Sequence, residues 1–332
     1  MPTPTPSDVH VNGLLGNVSI AYMQAASGFV ADQVFPNVPV AKQSDLYARY
    51  DRADWWRNQF RRRAPSTESA GGGWKVDNTA NYFCDVWSLH KDIDDDVRAN
   101  ADSVFNMDRD ATEWLAQQAM IAREVTWAAD YFATSKWTTD YNGAAAATTD
   151  EFLRWDDGSS TPINDVRQAA DAIHLLCGLR PNKLVMGRQV WTELQDNDTI
   201  TDRIKYSSTN TTPAIVTRQA VAAVMELDQI LVMDGIQVTS EENPAFETSM
   251  TTAFIGGKNA LLVYANSRPS LMTPSGGYTF SWTGRVGSSQ MGTRVMRMRA
   301  DLIKSDRIEA EMAYDQKLVC ADAGAFLNGI VN

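Results

Sequence analysis

The chain has 332 residues, 44% of them hydrophobic and 21% charged. That composition buries a real core and excludes a wholly disordered or fibrous protein. The net charge of −11, from 30 Lys+Arg against 41 Asp+Glu, speaks against a tight grip on nucleic acid, which calls for a basic surplus.

Residues 1–13 (MPTPTPSDVHVNG) are polar and rich in Pro and Thr. They read as a loose arm and carry neither the basic nor the apolar region of a secretory signal. Leu14 to Phe35 is moderately apolar until Pro36 and Pro39 break it. In SDLYARYDRADWW (44–56), aromatic and polar residues alternate, which predicts an exposed strand. The next stretch, NQFRRRAPSTESAGGGWKVDN, carries consecutive arginines, a proline and a glycine run, and predicts a long loop. NYFCDVWSL (81–89) is strand-like again. Residues 44–89 thus read as a two-stranded excursion with a polar tip. An isolated hairpin is marginal in water, so this one calls for another chain to lie on.

HKDIDDDVRANADSVFNMD then leads into the clearest helix of the sequence. Ala111, Trp114, Leu115, Ile121, Ala122, Val125, Ala128, Ala129 and Phe132 follow helical spacing, and Asp108 and Asp110 favour its N-terminal dipole. A helix of roughly 25 residues reaches about 38 Å, a spine rather than an average helix. Residues 138–160 are small and acidic and read as a loop. Ser160 or Thr161 as N-cap, Pro162 at the first helical position and Gly178 as stop frame a second helix. Its inner face is Ile163, Val166, Ala170, Ile173 and Cys177. Short elements follow: a strand at Lys183–Met186, a helix near Gln189–Gln195, then Ile200–Tyr206, a helix at Thr217–Leu227 and a buried strand at Gln229–Met233. This alternation predicts a compact α/β lobe.

The tail reads as strands at Ala253–Gly256, Ala260–Ala265, Tyr278–Trp282, Arg294–Ile303 and Arg307–Leu318. In the last two, Met296, Met298 and Ala300, and Ile308, Ala310, Met312, Tyr314, Gln316 and Leu318, are expected to face inward. Arg297, Arg299, Glu309, Glu311 and Asp315 are expected to face outward. Lys304–Ser305–Asp306 is the expected turn.

Little in the sequence points to chemistry. The nucleotide-binding glycine motifs are absent, as are GxSxG and HExxH. Cys84, Cys177 and Cys320 lie far apart, reading as buried or idle thiols of a reducing compartment. No cofactor is expected, and no apolar run is long enough to predict a membrane span.

Two charge clusters stand out. Asp92, Asp94, Asp95 and Asp96 beside His90 admit three readings: a solvated acidic stretch, an acidic patch that docks on a basic one, or a divalent-cation site. The last lacks the glycine and glutamate of an EF-hand loop. Arg57, Arg61, Arg62 and Arg63, flanked by Trp55, Trp56, Phe60 and Trp74, have the composition of a protein–protein hot spot. A solvated charge run and a single-stranded nucleic-acid surface are the alternatives. The solvated stretch is the favoured reading of the aspartates and the protein contact that of the arginines; both clusters are carried as subunit-interface candidates.

The order of parts is familiar. SDLYARYDRADWWR, RAPSTESAGGGW, NYFCDVWSLHKDIDDDVRANAD, DRDATEWL with REVTWAADYF, SSTPINDVRQA, RPNKLVMGRQVWTEL, GKNALLVYA, LMTPSGGYTFSWTG and KSDRIEAEMAYDQKLVCADAGAF occur in that order between about 36 and 327. The chain resembles the major capsid proteins of tailed bacteriophages with the Hong Kong 97-type fold. The resemblance implies an α+β chain in four parts: an N-terminal arm (1–40), an extended loop hairpin (41–90), a peripheral domain with a long spine helix (91–160 and 266–332), and an α/β axial domain (161–265). It also implies a non-enzymatic subunit that assembles with itself, through pentamers and hexamers, into an icosahedral shell around double-stranded DNA, without sequence-specific contacts. Portal, scaffolding and decoration proteins are its implied partners. The implied location is the virion capsid, with assembly in the host bacterial cytoplasm. Since about 40 residues precede the loop, a separate scaffold is expected. The shell of a cellular protein nanocompartment is the alternative within the same fold.

Overall fold

The computed structural model describes residues 23–101, 106–148, 151–207, 216–242, 250–266, 268, 274–287 and 292–332. Leu14–Tyr22 and residues 1–13 lie outside them. Among the described residues, two sheets meet on either side of one long helix. The first sheet has five strands, in the order Asn37–Val40, Gly277–Trp282, Ser305–Leu318, Thr293–Ala300, with Asp85–Asp94 also paired to Ser305–Leu318. The second has six, in the order Gln229–Met233, Lys183–Gly187, Ala260–Val263, Gly324–Asn328, Thr139–Ala144, Glu151–Leu153.

The spine helix runs from Met107 to Tyr131, with the Asn106 side chain accepting from the Arg109 amide as its N-cap. Its first half packs on the five-stranded sheet, where Ala111 and Leu115 meet Ile93, Ile308 and Ala310. Its second half places Trp127 in a core shared with Val185, Leu231, Met233, Leu261 and Phe326 of the six-stranded sheet. The opposite face of that sheet, including Leu184, Met186, Ile230, Val232 and Leu262, is covered by the helix Pro162–Cys177 and the short helices around it. Burial on both faces explains the continuous apolar runs of these strands.

The helix Pro162–Cys177 has the expected Pro162 start and Gly178 stop, with Gly178 left-handed at φ 77°. The short elements that follow it are also where the sequence places them.

Other expectations are corrected. The strand predicted over 44–56 breaks into Ser44–Leu46, Arg49–Tyr50 and a short helix, Arg52–Trp56, whose start is capped by Asp51 accepting from the Ala53 amide. The 138–160 loop contributes two strands, Thr139–Ala144 and Glu151–Leu153, to the six-stranded sheet. That sheet therefore draws on residues on both sides of 161–265. On the spine helix, Ala122 and Ala129 face solvent, while Gln117, Arg123 and Glu124 are buried. In the terminal hairpin, Arg297 pairs opposite Ile308 and Val295 opposite Ala310. Directly opposed residues share a face, so Val295, Arg297 and Arg299 lie toward the spine helix and Met296 and Met298 away from it. Arg297 and Arg299 are accommodated there because Asp108, Asp306 and Asp95 pair with them. The turn comes earlier than Lys304–Ser305–Asp306: Asp301–Ile303 form a single 3₁₀ turn and Ser305 already opens the strand.

Residues 30–40, expected as part of an arm, are built into the body. Val30, Ala31, Val34 and Phe35 are buried between the spine helix and the six-stranded sheet. Glu124 of the spine helix accepts from the Val30 amide at 3.0 Å and the Ala31 amide at 2.8 Å. The neighbouring Arg123 pairs with Asp32 and lies 5.0 Å over the Tyr314 ring. Asn37–Val40 then runs parallel to Gly277–Trp282.

Candidate assembly surface

The hairpin begins from a fixed base. Ser44–Leu46 pairs with Asn81–Phe83, and Arg49–Tyr50 with Val76–Asp77. Tyr82 and Cys84 are buried against Tyr278 and Phe280, the Tyr82 and Phe280 rings stacking at 4.6 Å. Asp315 of the long terminal strand accepts from the Phe83 amide at 2.8 Å. Burial pushes the Cys84 thiol up to about 12, which keeps it protonated and inert. Higher on the hairpin, Arg49 donates to Asp77 at 2.8 Å. Hydrogen bonds from the Thr79 hydroxyl and amide, with that from Arg49, hold the Asp77 carboxyl down at about 2.

Between Arg57 and Lys75 no helix or strand forms, and the side chains expected to mediate contact crowd this tip. Trp55 is 51% exposed, Trp56 52%, Trp74 64% and Phe60 94%. Trp55 lies 6.0 Å from both Tyr50 and Trp74, ring to ring. Arg57, Arg61, Arg62 and Arg63 are all exposed, and Arg63 reaches only back to the Thr67 carbonyl. The tip keeps its shape through local bonds: Asp54 accepts from the Lys75 amide at 3.1 Å, and the Gln59 amide donates to the Asp54 carbonyl at 3.1 Å. An aromatic platform beside guanidinium groups, with no core of its own, is suited to burial by a second surface.

The aspartate cluster has a different setting. Asp92 takes a two-pronged contact from Arg307, at 2.7 and 2.9 Å. Asp94 caps the short helix Asp95–Asn100 by accepting from the Asp96 amide at 2.8 Å. Asp95 binds both terminal nitrogens of Arg299, at 2.6 and 2.5 Å. The guanidinium partners hold the Asp92 and Asp95 carboxyls below the usual range. Asp96 is exposed. Through Arg299 and Asp306, Asp95 joins a network that continues through Arg98, Asp108 and Arg297 and fastens the helix Asp95–Asn100 and the spine entry to the sheet. Three of the four aspartates are thus occupied within the chain, and among the described residues no ion pair joins the cluster to the arginines of the tip. Nor do any three His, Cys, Asp or Glu side chains among the described residues gather as metal ligands.

Sequence reasoning missed a second exposed apolar group. Leu46, Phe83, Val86 and Trp87 line the lower hairpin, and Leu302 is fully exposed at the terminal turn with Ile303 beside it. The signal was two adjacent large apolar residues, Val86 and Trp87, which lie on opposite faces of one regularly paired strand and are both exposed.

No protein-family model matches the chain. Two curated relatives do, over nearly their whole length. The chain is 26% identical over 321 residues to the major capsid protein of Pseudomonas phage JBD67, covering 95% of each chain. It is 23% identical over 325 residues to that of Burkholderia phage BcepMu, covering 96% of each. Among solved structures, a phage-related protein from Bordetella bronchiseptica RB50 superposes with a TM-score of 0.66 at 20% identity, over 93% of this chain and 94% of that one. The capsid of cyanophage P-SCSP1u superposes with a TM-score of 0.64 at 12% identity, over 97% and 93%. This is the Hong Kong 97-type capsid fold. An encapsulin complex from Synechococcus elongatus shares it at a TM-score of 0.55 and 12% identity, over 96% and 94%. The three solved structures each match 93–97% of the chain, so one fold accounts for nearly all of it.

Proposed function

We propose that the chain is a major capsid protein, whose copies assemble through pentamers and hexamers into the icosahedral shell that encloses a tailed phage's double-stranded DNA. The observation that carries this reading is the whole-length match to two phage major capsid proteins, covering 95% and 96% of the chain. The geometry supports it, because a shell subunit must bury large surfaces against its neighbours. The hairpin offers such a surface: a base locked into the five-stranded sheet and a tip of exposed arginines with tryptophans and a phenylalanine that its own chain leaves at least half exposed. The likeness to an encapsulin extends the fold but brings no relative by sequence, so the nanocompartment alternative gains nothing over the phage reading.

In this proposal the hairpin is the extended loop, and Trp55, Trp56, Phe60 and Trp74 with Arg57 and Arg61–Arg63 meet a neighbouring subunit. The axial lobe comprises 161–265 together with the strands Thr139–Ala144, Glu151–Leu153 and Gly324–Asn328. The role is structural and not enzymatic, in the virion capsid, with assembly in the host cytoplasm alongside portal, scaffolding and decoration proteins. The acidic balance suits a container, since a strongly basic lining would retain DNA through counterion release. Negative-stain microscopy of the concentrated protein tests the reading: closed shells or capsomer rings are expected, and a monodisperse monomer would overturn it.

A second test addresses the tip. Arg61→Glu/Arg62→Glu should weaken assembly at low salt, and raising the salt should weaken wild-type assembly in the same direction. Single exposed pairs are worth only about 0–1 kcal/mol, but every subunit repeats the contact. Light scattering during assembly measures both effects; normal assembly of the double variant would make these arginines solvated surface. Because Asp92 and Asp95 are held by Arg307 and Arg299, the partner surface is to be sought among other acidic residues, Asp96 included.

A further inference from the structure

The middle of the hairpin does not hang free. Arg52, on the short helix beyond the second strand pair, donates through Nη1 to the Leu176 carbonyl at 2.6 Å and to Asp322 Oδ2 at 2.5 Å. Leu176 lies in the last turn of the helix Pro162–Cys177, where carbonyls are left without helical partners and the dipole favours a cation. Asp322 is itself positioned, because its other oxygen accepts from the Thr138 hydroxyl at 2.7 Å. Four residues beyond Arg52, Trp56 lies against Gly178, so closely that a Cβ at that glycine would come within 2.9 Å of the Trp56 ring. Gly178 thus serves twice: it supplies the left-handed residue that ends the helix, and it leaves room for the indole.

Resting on the capsid reading, we propose that Arg52 is a positioning residue: a latch that, with Trp56 over Gly178, fixes the hairpin against its own subunit so that only residues 57–75 remain to be ordered by a neighbour. Holding the arm in place before contact removes part of the ordering cost that assembly otherwise meets. The contact joins three separate stretches of chain, 52–56, 176–178 and 322. It is half-exposed, so it can be lost without opening a core.

Hydrogen exchange on unassembled subunits, paired with the concentration at which shells first form, tests the latch. Arg52→Ala should speed exchange in 44–56 and 76–83 while leaving the melting temperature unmoved, and should raise the onset concentration roughly fivefold. Arg52→Lys, whose ammonium can reach both acceptors, should restore most of both. Unchanged exchange in the alanine variant would overturn the proposal, as would lost protection that lysine does not restore. If wild-type subunits form no shells, the capsid reading fails; the exchange comparison alone then decides whether the latch exists.

Discussion

Replacing Trp127 with alanine is expected to cost about 3–5 kcal/mol, the range for deleting a large aromatic from a packed core. Trp127 is fully buried and meets Phe35 edge-on and Phe132 at a tilt, both at 5.8 Å. It sits where the spine helix, the N-terminal segment and the six-stranded sheet converge, so the cavity has three walls that cannot all collapse together. Urea unfolding of the isolated chain measures the loss. Ala122→Ser, on the outward face of the same helix, should stay within about 0.5 kcal/mol. A loss below about 1 kcal/mol for the tryptophan variant would mean that the three elements do not depend on this contact.

The second large effect is expected at Glu124. Its carboxylate is the acceptor for the buried amides of Val30 and Ala31, and an orphaned buried donor costs roughly 1–3 kcal/mol. Glu124→Ala should therefore cost about 2–5 kcal/mol for the two amides together, and Glu124→Gln, which keeps an acceptor oxygen, distinctly less. The position also predicts a pH signature. Burial pushes the Glu124 carboxyl up to about 7 from an ordinary value of 4.5; Asp32 adds to the rise, while the two amides and Arg123 oppose it. A carboxyl raised by folding contributes stability that is complete below about 4.5 and lost as pH climbs through about 7. Relative to Glu124→Gln, the wild type should therefore lose stability over that window. Parallel curves for the two proteins would show that the buried carboxyl does not titrate as its surroundings require.

These two residues also mark where the sequence was legible and where it was not. The helix Pro162–Cys177 was readable nearly to the residue because its start and stop are written in backbone chemistry, proline for one and a left-handed glycine for the other. The spine helix was readable as a helix, but its buried face was not: Arg123 and Glu124 look like solvent residues until the segment at 30–32 is seen to occupy them. A similar masking hid the facing of the terminal hairpin. Alternation defines two faces without saying which is inward, and aspartates on the helices and the neighbouring strand admit Arg297 and Arg299 to the helix side. Thr139–Ala144 read as loop because the stretch 138–160 is rich in small and acidic residues. Gly143, at least, is small for a packing reason: a Cβ there would come within 2.2 Å of the Gly329 carbonyl oxygen. The aromatic and arginine tip was legible from composition alone. The occupation of the aspartates was not, since Arg299 and Arg307 are more than 200 residues away from their partners.

The pairing order of the sheets also constrains when the chain can fold. Gly324–Asn328 lies between Ala260–Val263 and Thr139–Ala144, so the two outer strands of that sheet join the rest only through a segment near the C-terminus. The five-stranded sheet has the same dependence, since Asp85–Asp94 pairs with Ser305–Leu318. Strand pairing across such separations is slow and follows loop closure. A chain that stops before residue 299 therefore leaves both sheets incomplete, and leaves Asp92 and Asp95 without the guanidinium groups of Arg307 and Arg299. Such a chain also lacks Asp315, the acceptor that holds the hairpin base through the Phe83 amide. The topology thus makes both sheets wait on late-synthesised chain: neither closes until residues 305–328 are in place.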